Sequence, residues 1–263
     1  MNDPQLQAFY DSFYQTAECS TTFSDYCTRL YGIDFSQDGF SDLSQINALI
    51  DMLNLNSSSK VLDIGCGNGK MCEYIHDKTG ASVYGFDYSF SAIFSAIART
   101  RDKNRKLVFQ TGLIGEKEYS PEIFDAVLSI DTMNYAVEPE SFVKQIVRWL
   151  KPGGAFAAFY CQTRFGEATP SDILIKEYTP LAKAFDASGI TYEAWDYTRA
   201  FYDFMRRKRL VAQDLKKDFS KSGLMEYYER LVRQSVDEKM PYDVFKKCFS
   251  RFLYLAKKPY ESY

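Results

Sequence analysis

Two periodicities alternate along the chain. Short apolar runs of strand length recur at residues 61–64, 83–87, 106–110, 124–131, 155–161, 190–198 and 251–258. Between them lie stretches with apolar residues three and four apart, the spacing of a helix with one buried face. A helix over 70–77 follows the first run. Ser89 caps a second helix, with Ile93, Phe94, Ile97 and Ala98 on one face. Phe142, Ile146, Val147 and Leu150 mark a third, and Thr179-Pro180 opens a fourth that Gly189 closes. Strands alternating with helices predict a mostly parallel sheet covered on both faces.

Two segments exceed what such a sheet needs. Before the first strand, Gln5, Phe9, Phe13 and Tyr14 carry one helical period, and Leu43, Ile46, Ile50 and Leu53 carry another. The stretch between them, YCTRLYGIDFSQDGF, reads as aromatic and turn-rich. Residues 1–54 are thus expected to form an N-terminal helical cap, with 55–263 as the main domain. Within that domain, 199–247 is expected to form a helical lid inserted between the last two strands. The run 251–258 then returns antiparallel beside the sixth strand. The basic cluster Arg206-Arg207-Lys208-Arg209 reads as a solvated helix face.

The turn after the first strand carries the chemistry. Residues 61–70 read VLDIGCGNGK: an apolar run, the acid Asp63, and glycines at 65, 67 and 69. Glycine lets a backbone turn tightly and lets a ligand lie against it. The dinucleotide fingerprint is G-x-G-x-x-G, and here Lys70 stands at its third glycine, which argues against a pyrophosphate. Asp87 ends the second strand, where an acid binds ribose hydroxyls.

VLDIGCGNG and VYGFDYS resemble motifs I and II of the class I S-adenosylmethionine-dependent methyltransferases, and FDAVLSID and LKPGG resemble that family's later strand ends. The resemblance implies a Rossmann-like α/β fold: a seven-stranded, mostly parallel sheet with an antiparallel last strand. It implies S-adenosyl-L-methionine as cofactor, held by Asp63, Gly65, Cys66, Gly67, Gly69, Asp87, Tyr88, Gly112, Leu113 and Ser129. Where the family usually carries an adenine-binding acid this chain has Gly112-Leu113, so adenine would rest on backbone and apolar contact. The loop 36–40 resembles a segment of the amine and phosphobase branch that lies near the cofactor's methionine end. That branch has an Asp matching Asp131 and a catalytic His four residues later, where this chain has Tyr135. The chemistry is expected at Asp131, Tyr135 and Tyr160, as groups that position a small-molecule amine.

Composition narrows the choice. A net charge of −3 and a pI near 5.4 give no electrostatic footprint for nucleic acid. The segment after Asp131 lacks the Pro-Pro motif of base-methylating enzymes. No run spans a bilayer and residues 1–10 lack a signal-peptide pattern, so a cytoplasmic location is expected. The six cysteines include no C-x-x-C pair, so reduced thiols and no metal site are expected. The sole histidine, His76, falls inside a helix away from the pocket. Methyl transfer to a small molecule, at nitrogen before oxygen, is the leading expectation. The alternatives are a non-catalytic cofactor-binding sensor and an RNA or protein methyltransferase.

Overall fold

The computed structural model describes residues 3–166 and 168–260. Three helices come first: α1 (Pro4–Cys19), α2 (Thr21–Tyr31) and α3 (Leu43–Leu53). Asp3 caps α1, Ser20 caps α2 and Asp42 caps α3, each accepting a first-turn N–H. Helix α2 occupies part of the stretch expected to be turn-rich. Its buried Tyr26, Cys27, Leu30 and Tyr31 recur at helical spacing, and Gly32 ends it in the left-handed conformation. Aromatic content had hidden that period.

The sheet follows as β1 (Lys60–Ile64), α4 (Lys70–Thr79), β2 (Ser82–Asp87), α5 (Phe90–Arg99), β3 (Leu107–Thr111), β4 (Phe124–Ile130), α6 (Pro139–Trp149) and β5 (Leu150–Thr163). Then come α7 (Pro180–Ala187) and β6 (Thr191–Asp196). Four helices precede the last strand: α8 (Thr198–Asp214), α9 (Lys216–Lys221), α10 (Met225–Arg233) and α11 (Tyr242–Phe245). Strand β7 (Phe249–Lys257) closes the fold. The strand order is β3-β2-β1-β4-β5-β7-β6, and β7 runs antiparallel between β5 and β6. The order reverses beside β1, so the ends of β1 and β4 diverge and open a crevice.

Tertiary packing changed some local expectations. Strand β5 already begins at Leu150, so KPGG lies inside it, with Gly153 at positive φ. On α5 the buried face is Ala92, Ile93 and Ala96, while Phe94 and Ile97 are exposed. The small residues face inward because α5 lies close against both β3 and α1. On α6, Trp149 is buried instead of Val147.

The cap and the lid share a core. Phe13, Phe23, Tyr26 and Leu30 from α1 and α2 pack with Phe204, Leu215, Phe219 and Leu231 from α8, the α8–α9 junction, α9 and α10. This explains why the basic cluster is only partly a solvated face: Arg207 is exposed, whereas Lys208 turns inward. Lys208 is 1% exposed, lies 5.7 Å over the Phe40 ring, and has its ammonium 3.4 Å from Gln234 Oε1. Burial lowers its pKa to about 8. Among the described residues no helix is long and apolar enough to cross a membrane.

Candidate active site

A cavity open to solvent lies in the crevice at the ends of β1 and β4. One side is made by the strand ends. Gly65 and Gly67 have φ +72° and +54°, a left-handed backbone that favours glycine. A Cβ on Gly65 would stand 2.5 Å from Thr132 Cγ2, and one on Gly67 would collide with the Tyr14 hydroxyl. Asp63 and Asp87 reach the same wall. Asp87 accepts from the N–H of Gly67 at 2.8 Å and of Ser89 at 2.9 Å, fixing the second strand end to the glycine turn. Burial raises its pKa. Asp63 is 3% exposed, and the Cys72 thiol donates to it at 3.2 Å. Burial raises the Asp63 pKa to about 7. Cys66, Tyr88, Gly112 and Leu113 complete this side.

Two residues expected here support the wall from behind. Ser129 Oγ lies 2.7 Å from Thr132 Oγ1, which itself donates to the Ile64 carbonyl at 2.7 Å. It thereby holds the side chain that packs on Gly65. Gly69 stands at the start of α4 with φ +71°, where a Cβ would strike Phe109 and Ala96. Both lie outside the cavity lining.

The opposite side comes from the cap. Tyr10 and Tyr14, one helical turn apart on α1, bring their rings over the crevice. The Tyr10 hydroxyl meets that of Tyr135, from the turn after β4, at 2.8 Å. Burial and the Asp38 carboxylate push the Tyr10 pKa far above that of a free phenol, and burial does the same for Tyr14. Both hold their protons. Gln37, Asp38 and Gly39 of the loop between α2 and α3 line the cavity between them and Asp131. Arg230 of α10 forms an ion pair with Asp38 and lies 4.3 Å over the Phe9 ring. The lid thus holds a wall residue without lining the cavity itself.

Asp131 lies in the lining with φ +61°, one residue beyond β4. Both of its carboxylate oxygens accept hydrogen bonds from the protein. Arg251 of β7 donates to it from Nη2 at 2.8 Å and Nε at 3.1 Å, and Phe40 N–H and Ser41 Oγ–H each donate at 2.9 Å. Arg251 Nη1 donates to Gln45 Oε1 at 2.8 Å, and Nη2 also donates to Ser41 Oγ at 2.6 Å. The side chains of the pair are 0% and 4% exposed. Asp131 therefore fastens the loop 36–41 to the sheet while remaining in the cavity lining.

Tyr160 is the clearest correction. It is absent from the cavity lining, packs against Tyr254 at 6.5 Å, and has its hydroxyl 3.4 Å from Gln162. Successive strand residues face opposite sides of a sheet. Cys161 therefore faces Asp131, with its thiol 3.9 Å from Oδ1. An expectation based on the strand end alone missed that parity. The sequence reading also passed over Tyr10, Asp38, Arg230 and Arg251. A Tyr pair four apart on α1 was visible; the arginines had no local signal.

Comparison with known proteins agrees with the geometry. The family described as "Methyltransferase domain" matches residues 55–193. Phosphoethanolamine N-methyltransferase of Plasmodium falciparum is 28% identical over 239 residues, covering 89% of this chain and 83% of that protein. Phosphoethanolamine N-methyltransferase 3 of Arabidopsis thaliana is 26% identical over 242 residues, covering 88% of this chain and 48% of that protein. The chain spans half or less of the length of the plant relatives it matches. Among solved structures, Haemonchus contortus phosphoethanolamine N-methyltransferase 2 in complex with S-adenosyl-L-methionine superposes with a TM-score of 0.70 at 18% identity. The superposition covers 95% of this chain and 60% of that one.

Proposed function

The chain belongs to the class I S-adenosylmethionine-dependent methyltransferase family, and from this we propose that it methylates the nitrogen of a small-molecule amine. The observation that carries the reading is one cavity with a glycine turn and two buried acids on one side and a tyrosine pair on the other.

The residues present fit the cofactor. Asp63 is a buried acid whose hydrogen-bond donor among the described residues is a thiol, which leaves acceptor capacity for the ammonium of the methionine end. Asp87, at the second strand end, suits the ribose hydroxyls, and Gly112, Leu113 and Ile114 offer adenine a backbone and apolar face. When bound, the cofactor supplies an electrophilic methyl group on a sulfonium. The chain supplies position: alignment of two reactants is worth about 7–11 kcal/mol.

On the acceptor side, Tyr10 and Tyr14 stay protonated and orient the amine by hydrogen bonds and ring faces. With no unpaired base on this side among the described residues, the amine loses its proton to water at the mouth, where Tyr135 is 41% exposed. Asp131 acts as a positioning residue through the loop 36–41.

The test is transfer of labelled methyl from the cofactor to amines in a metabolite extract, read by mass spectrometry. Labelled N-methyl product is expected. Tight cofactor binding with no labelled small molecule would reject the reading.

A further inference from the structure

We propose that the acceptor is an amine bearing no phosphate group, so that this site differs from those of the relatives named for phosphoethanolamine. The inference rests on the cavity being the methyl-transfer site and names the class of molecule that enters it.

The first observation is the charge of the wall. Four carboxylates line the cavity, Asp38, Asp63, Asp87 and Asp131, and no lysine, arginine or histidine among the described residues does. A phosphate monoester carries between one and two negative charges at neutral pH, and strong sites for it use arginine, lysine or free backbone N–H groups.

The second observation is that the nearby cations are committed elsewhere. Lys70 donates to Asp34 at 3.2 Å and to Ser36 Oγ at 2.7 Å. Arg230 pairs with Asp38; its other terminal nitrogen, Nη1, is buried without a partner, but its guanidinium covers Phe9 outside the lining. Arg251 is bound to Asp131, Ser41 and Gln45. Lys208 lies over Phe40, also outside the lining.

The third observation concerns the backbone. A glycine-rich turn before a helix is an anion site only if its N–H groups are free. Here Gly65 and Cys66 donate to the Phe86 carbonyl at 2.9 and 3.1 Å. Gly67 donates to Asp87 at 2.8 Å, Gly69 to the Cys66 carbonyl at 3.0 Å, and Lys70 to Asn68 Oδ1 at 3.3 Å. The Asn68 side chain keeps an unpartnered Nδ2 in the lining, a single uncharged donor where a phosphate site uses several. What remains is phenol hydroxyls, ring faces, one uncharged amide and carboxylates with no spare cation beside them in the lining, which together favour an amine over an anion.

The test uses the full chain, labelled cofactor and a small-molecule extract of the source cells, split and treated or not with a phosphatase that is then removed. The label is expected in both halves within about twofold, in a product held by a cation exchanger. Calorimetry of the product-cofactor complex with inorganic phosphate and with phosphoethanolamine is expected to show no saturable binding. Label in the untreated half that falls more than about tenfold after phosphatase would overturn the inference and leave amine methylation standing. Saturable phosphate binding that competes with the labelled acceptor would overturn it too. No label in either half would remove the inference together with the methyl-transfer reading.

Discussion

The wall formed by β1 and β2 and the wall formed by the cap are built from different materials. The first is shaped by backbone: positive-φ glycines, strand ends in register, and an aspartate that locks one strand end to the next. The second is shaped by side chains that meet from four distant parts of the chain. Tyr10 comes from α1, Asp38 from the loop between α2 and α3, Tyr135 from the turn after β4, and Arg251 reaches Asp131 from β7. A backbone site tolerates little change at its glycines and much elsewhere. A side-chain site depends on pairs, so its weak points are single residues far from the ligand.

The largest expected effect breaks the side-chain wall. Arg251→Met leaves Asp131 buried without its cation, a loss of about 3–5 kcal/mol. Thermal unfolding should show it, and the double variant Asp131→Asn/Arg251→Met should regain most of the stability, since asparagine tolerates the left-handed backbone. Equal destabilisation of both variants would mean that the pair is not what holds the loop.

Next comes Asp63 on the backbone wall. Its folded-state pKa, raised to about 7, lies above the unfolded value, so it favours folding fully below the unfolded pKa. That contribution is lost as pH rises through the folded pKa. Asp63→Asn should therefore be more stable than the parent protein above neutral pH, by an upper bound on the order of 4 kcal/mol. The difference should close in acid. Denaturant melts across pH measure it, and a pH-independent difference would refute the assignment. Cofactor binding, by contrast, should release protons near neutral pH and weaken in this variant.

Gly67→Ala should lower cofactor affinity by at least about tenfold, since the left-handed backbone alone costs about 1–2 kcal/mol and the new Cβ displaces Tyr14. Calorimetric titration reads this, and circular dichroism should show the fold intact. Tyr10→Phe is the smallest change. It removes one hydrogen bond to Tyr135, about 0.5–1.5 kcal/mol, and should raise the acceptor KM with cofactor affinity unchanged. A change in cofactor affinity instead would place Tyr10 on the other wall.

Residues 61–70 and 83–87 announce their structure because glycine conformation and strand periodicity are local properties. From them followed the parallel sheet, the position of the crevice, and the cavity wall at Asp63, Gly65, Gly67 and Asp87. Helices α1, α3, α8 and α10 were also legible as periods, and α2 was not. What each side chain faces was not. Tyr160 turned away because strand parity depends on register with β7, and Lys208 turned inward because α1 and α2 cover α8. Arg251 and Asp131 are 120 residues apart, so no local pattern couples them. Local chemistry along the chain determined the backbone half of the site. Long-range packing alone decided the other half, because a buried charge takes whichever partner the fold brings within hydrogen-bonding distance.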